Sequence, residues 1–106
     1  MAAYAIAQLR NVRVNQGIVD YLKAIDGTLA PFDGHFIIHG GPKDELLEGL
    51  SPDDLIVIAF PDLATARNWY ASPAYQAIIE WRRQGSEGEM FLIDGVDKDH
   101  RAADIL

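Results

Sequence analysis

Of the three histidines in this chain, His35 and His39 stand four residues apart in one apolar run, GHFIIHGG. As a strand, that run puts both rings on one face, about 13 Å apart, too far for a single metal ion to bind both. His100 lies near the C-terminus, and no H-x-H, H-E-x-x-H or acidic cluster completes a ligand set; no metal site is expected. His39 is the better candidate for acid–base work, as a proton carrier, because imidazole titrates near neutrality and the residue precedes the Gly40-Gly41 turn. Its other reading is a hydrogen-bonded histidine in a polar patch, which Gln8 and Arg10 of the first predicted strand would share if the register permits.

A second group lies in FPDLATARNWYASPAY, residues 60–75. Trp69, Tyr70 and Tyr75 concentrate rigid aromatic surface at the junction of two predicted helices, where it either packs a core or lines a pocket. Tyr75 and Arg82 are seven apart, two helical turns, so one helix would carry both on the same stripe. A hydroxyl and a guanidinium so placed could hold a small carboxylate, or bond to carbonyls of the loop from Gly41 to Gly49. Ser72 precedes Pro73 and has no general base beside it, which makes it a helix cap rather than a nucleophile. Asp44, Glu45 and Glu48 read as hydrated decoration of a turn in which Gly41 is structural.

These side chains need elements to position them. From Ala3 to Val12, Tyr4, Ile6, Gln8 and Arg10 alternate with Ala5, Ala7 and Leu9, as a strand requires. Asn15 can cap a helix with Ile18, Leu22, Ile25 and Leu29 at helical spacing, stopped by Pro31 and Gly34. A second strand spans Gly34 to Gly41, and a short or bulged extension is predicted from Glu45 to Gly49. LIVIAF, residues 55–60, is apolar on both faces and therefore a central strand. Asp62 and Ser72-Pro73 start helices at about 62–71 and 73–84, and residues 89–95 alternate as a last strand. The order is β-α-β-β-α-β, an α+β ferredoxin-like plan: an antiparallel sheet with all helices on one face. The other face needs cover, and a second copy packed by two-fold symmetry supplies it, so a homodimer through sheet faces is expected.

Composition narrows the function. At 106 residues, residues 1–96 form one domain and residues 97–106 a charged tail ending in Ile105-Leu106. The net charge of −7 disfavours nucleic acid, since phosphate contact requires clustered lysine and arginine. The absence of cysteine removes disulfides, thiolate nucleophiles and iron–sulfur clusters. No apolar run approaches the roughly 20 residues of a bilayer span, so a cytoplasmic protein without membrane contact is expected. No glycine-rich phosphate loop opens a helix, and no cofactor is expected.

The succession Gly40-Gly41-Pro42, Glu48-Gly49, an apolar strand ending in Phe60-Pro61, Ala66-x-x-Trp69-Tyr70-x-Ser72-Pro73-x-Tyr75, Arg82 and Gly95-Val96 resembles the domain of unknown function 1330 family. The resemblance implies a ferredoxin-like subunit dimerising into an α/β barrel, and no established reaction. The wider superfamily includes cofactor-independent oxygenases and isomerases, whose oxygenases place an Asn, a Trp and often a His around a cleft. Here Asn68 and Trp69 are adjacent, hence about 100° apart on a helix, and no helical histidine accompanies them. The reading is therefore a small organic ligand held between helices and sheet, with Trp69, Tyr75, Arg82 and Gln8 binding and His39 carrying a proton. The alternatives are a cofactor-independent oxygenase or isomerase and a non-catalytic dimeric interaction module.

Overall fold

The computed structural model describes residues 1–40 and 45–106; the predicted turn residue Gly41 lies outside the described residues, as does Asp44. Strands β1 (Ala3–Arg10), β2 (His35–Gly40), β3 (Asp54–Phe60) and β4 (Glu87–Asp94) form one antiparallel sheet in the order β2-β3-β1-β4. Helix α1 (Gln16–Leu29) links β1 to β2. Helices α2 (Leu63–Ala71), α3 (Pro73–Gln76) and α4 (Ile79–Gly85) link β3 to β4. This is the ferredoxin-like α+β plan.

Local chemistry sets the helix starts. The Asn15 side chain accepts from the Ile18 N–H at 2.9 Å and Asp62 from Thr65 at 2.7 Å, each satisfying a donor that the helix itself leaves orphaned. Ser72 does the same for Tyr75, at 3.3 Å, with Pro73 at the first helical position. The helix expected over 73–84 is broken: Ile78, at φ −112° and ψ −6°, leaves helical geometry between α3 and α4. The extension expected at Glu45 to Gly49 forms no strand. On α1 the buried stripe runs through Ile18, Tyr21, Ile25, Thr28 and Leu29, and the predicted stripe residue Leu22 is instead 45% exposed.

Register explains the two faces of the sheet. Ala3, Ala5, Ala7 and Leu9 of β1 point under the helices and are buried, and the three small side chains let the helices approach closely. Phe36, Ile58, Ala5 and Leu92 form one row across this face; His39, Ile56, Ala7 and Met90 form the next. Gly88 crosses β1 so tightly that an added Cβ would sit 2.0 Å from the Gln8 carbonyl oxygen, and its φ of +148° suits glycine alone. The core is completed by Trp69 and Tyr75, both fully buried against Phe60 and Ile58. The indole Nε1 of Trp69 donates to Thr28 Oγ1 at 3.0 Å, and the hydroxyls of Tyr75 and Tyr21 share a bond of 2.9 Å, so neither aromatic leaves a polar atom stranded.

The opposite face carries a continuous apolar row, Ile38, Val57, Ile6 and Phe91, one residue from each strand. In the single chain Ile38 is 46% and Phe91 40% exposed. The next row holds His35, Ala59, Tyr4 and Ile93, while Gln8 and Glu89 mark a polar margin where Arg10 grips Glu89 at 2.9 and 3.0 Å. The guanidinium holds the Glu89 carboxyl below its ordinary range.

Candidate functional site

A cleft of about 260 Å³ opens between α1, the C-terminal part of α4 and the β2–β3 end of the sheet. Leu9, Ile56 and His39 supply its floor, Ile18, Tyr21 and Leu22 one wall, and Val12 and Val14 of the β1–α1 connection another. That connection is tied down by the Arg13 N–H, which donates to the Gly85 carbonyl at 2.7 Å, and by Arg13 Nη2, which donates to Gln84 at 2.7 Å. Gly85 lies so near α1 that a Cβ there would meet Ile18 Cγ1 at 2.4 Å. The close crossing of α1 and α4 holds Arg82, one turn before Gly85, against Tyr21 and over the cleft.

His39 reaches this cleft because of a β-bulge. His35 pairs with Ala59 and Phe36 with Ile58, but the register then shifts and Ile38 pairs with Val57, leaving Ile37 as the extra residue. One inserted residue inverts every side chain beyond it. His35 therefore stays on the open face while His39 turns to the helix side, stacked on Phe36 with ring centroids 4.6 Å apart. The expected shared face of His35 and His39 is thus corrected. So is the expected partnership of His39 with Gln8 and Arg10, which lie on the other side of the sheet.

Among the described residues, Arg82 alone has a buried side-chain polar atom without a hydrogen-bond partner. It is only 8% exposed, its Nε is buried with no hydrogen-bond partner, and among the described residues no carboxylate forms an ion pair with it. A buried cation without a counter-charge is costly, and an unsatisfied buried donor adds about 1–3 kcal/mol. Tyr21 beside it stays a neutral phenol: burial, reinforced by the Tyr75 hydroxyl, pushes its pKa well above the usual tyrosine value, with Arg82 pulling weakly the other way. Asp54 lines the same cleft at the sheet end.

Of the side chains singled out from sequence, Arg82 and His39 meet here; Trp69, Tyr75 and Gln8 do not. Trp69 and Tyr75 are core rather than cleft wall, because Thr28 and Tyr21 offer them polar partners inside the fold. Tyr75 reaches the site through Tyr21, by the bond between their hydroxyls and an edge-to-face ring contact at 6.2 Å. Among the described residues no group of three or more His, Cys, Asp or Glu side chains could hold a metal, and no helix is long and apolar enough to cross a membrane.

The family model "Domain of unknown function (DUF1330)" matches residues 2–96. The chain belongs to that family. Solved structures similar to this DUF1330 chain include a protein of unknown function from Rhodopseudomonas palustris, at 12% identity over 91% of this chain and 83% of the other, TM-score 0.66. A dimeric ferredoxin-like protein of unknown function from Jannaschia sp. CCS1 matches at 15% identity over 92% and 100%, TM-score 0.67. SnoaB, a cofactor-independent oxygenase from Streptomyces nogalater, matches at 16% identity over 94% and 98%, TM-score 0.53. Comparison with curated proteins gave no match. At these identities the structures share the fold with the DUF1330 chain, and the site must speak through its own residues.

Tyr21, Asp54 and the apolar walls Val12 and Val14 are site residues that carry no site motif in the sequence. Tyr21 had a signal: it lies three residues after Ile18 and four before Ile25, on the apolar stripe of α1.

Proposed function

We propose that this protein is a homodimer that binds a small organic ligand in the helix–sheet cleft, with Arg82 as anchor for an anionic group and His39 as proton carrier. The observation that carries the reading is the buried guanidinium of Arg82, which has no ion-pair partner among the described residues, on the wall of a cleft lined mostly by apolar side chains. Such a group is what a ligand's negative end would satisfy, in a setting where low polarity strengthens the contact. His39 at the same cleft supplies an imidazole, a side chain that can both donate and accept a proton.

Dimerisation is supported by the apolar row Ile38, Val57, Ile6 and Phe91, which a second sheet would cover, and by the dimeric state named for the ferredoxin-like protein from Jannaschia. The chain's own tail does not serve as that cover, since Ile105 and Leu106 are 81% and 102% exposed. The oxygenase alternative loses support from the placement of Asn68, exposed on α2, and Trp69, sealed in the core. A purely structural interaction module would have no reason to keep a buried guanidinium with an unsatisfied Nε beside a cleft.

The test is methyl NMR of the isotope-labelled protein titrated with a mixture of small organic fragments, anionic and neutral. The expected result is chemical-shift change concentrated at Leu9, Val12, Ile18 and Ile56. No shifts at millimolar fragment, or shifts confined to Ile6 and Val57 on the open face, would contradict the reading.

A further inference from the structure

We infer that the ligand is a monocarboxylate with an apolar body of roughly ten non-hydrogen atoms, a size set by the cleft volume. This deepens the proposed function and rests on it.

The charge pattern of the cleft carries the inference. Its one buried cation among the described residues, Arg82, can accommodate one negative charge, and a carboxylate matches the planar guanidinium with two parallel hydrogen bonds. Most of the remaining lining, beside Tyr21, His39 and Asp54, is the side chains of Leu9, Val12, Val14, Ile18, Leu22 and Ile56, which desolvate an alkyl or aryl body favourably and any second charge unfavourably. Asp54, lining the same cleft, repels a second anionic group. Phosphates and dicarboxylates therefore carry a charge for which the cleft offers no second arginine or lysine among the described residues, while an apolar molecule without an acceptor leaves the Arg82 Nε unsatisfied. Val14 and Leu22, 78% and 45% exposed, extend the apolar surface out to the mouth, where the body of the acid would emerge.

Three probes of equal chain length separate the terms: octanoate, 1-octanol and the dianion suberate, each titrated calorimetrically into the protein and into Arg82→Met and Leu22→Trp variants at neutral pH. Octanoate is expected to bind roughly ten- to a hundredfold more tightly than octanol, the worth of a charge-assisted hydrogen bond, and at least about tenfold more tightly than suberate. Arg82→Met should remove that advantage and leave octanol unaffected; Leu22→Trp, which narrows the mouth, should weaken octanoate and octanol alike. If octanol binds as well as octanoate, or suberate as well as octanoate, and Leu22→Trp still blocks binding, the monocarboxylate assignment is overturned while the cleft remains the binding site. If none of the probes binds at millimolar concentration, the assignment and the proposed function fall together.

Discussion

Replacing Arg82 with Met should raise the stability of the ligand-free protein by about 1–3 kcal/mol, the cost of an unsatisfied buried donor. Most substitutions of buried residues destabilise, so the sign is diagnostic. Methionine retains most of the unbranched stem that packs beside Tyr21, and it removes a charge that has no ion-pair partner among the described residues. The same substitution abolishes the anchor for an anionic ligand, so stability and binding move in opposite directions, as expected where a site is held strained for function. Urea unfolding of the two proteins, compared at their midpoints with equal slopes, measures the difference. A loss of more than about 1 kcal/mol would mean that Arg82 is a structural member of the core, satisfied through internal bonds.

Phe91→Lys should convert the proposed dimer into monomers. Phe91 ends the row that crosses all four strands on the face away from the helices, beside Ile6. Two-fold packing of that face would bury the lysine twice per dimer, and an uncompensated buried charge costs about 3–5 kcal/mol, enough to weaken association by three orders of magnitude or more. The monomer would retain its core, because Trp69, Tyr75 and Phe60 lie on the other side of the sheet, while its open apolar row would bind hydrophobic dyes. Light scattering at micromolar concentration reads the mass of each protein. A monomeric parent, or a variant that remains dimeric, would contradict association through this face.

The parts of the fold legible in the sequence were those decided locally. Alternation in β1 gave both faces of that strand, since the small alanines at 3, 5 and 7 share one side with Leu9. Asn15, Asp62 and Ser72-Pro73 announced helix starts because capping needs only a few neighbouring residues. The bulge in β2 was not legible: Phe36, Ile37 and Ile38 are all apolar, so either register satisfies the pattern, and no glycine marks the inserted residue. That single ambiguity misplaced His39. The break at Ile78 was equally silent, with no glycine or proline within two residues to signal it. For Trp69 and Tyr75 composition could not separate core from cleft wall, because their depth depends on Thr28 and Tyr21, more than forty residues away in sequence.

Of the candidate site, Arg82 and His39 were named from sequence for their chemistry, and the structure adds why they converge: a bulge turns one inward and a tight α1–α4 crossing holds the other. That Arg82 forms no ion pair with a carboxylate among the described residues is a tertiary fact, set by where the acidic side chains end up rather than by their number.

The most direct measurement is the NMR signal of the Arg82 guanidinium, assigned by its absence in Arg82→Met and followed while octanoate is added. Saturable downfield movement of its N–H resonances, together with shifts at the Ile18 and Ile56 methyls, is the predicted result. An Arg82 signal that stays fixed while other residues report binding would contradict the claim that this guanidinium receives the ligand.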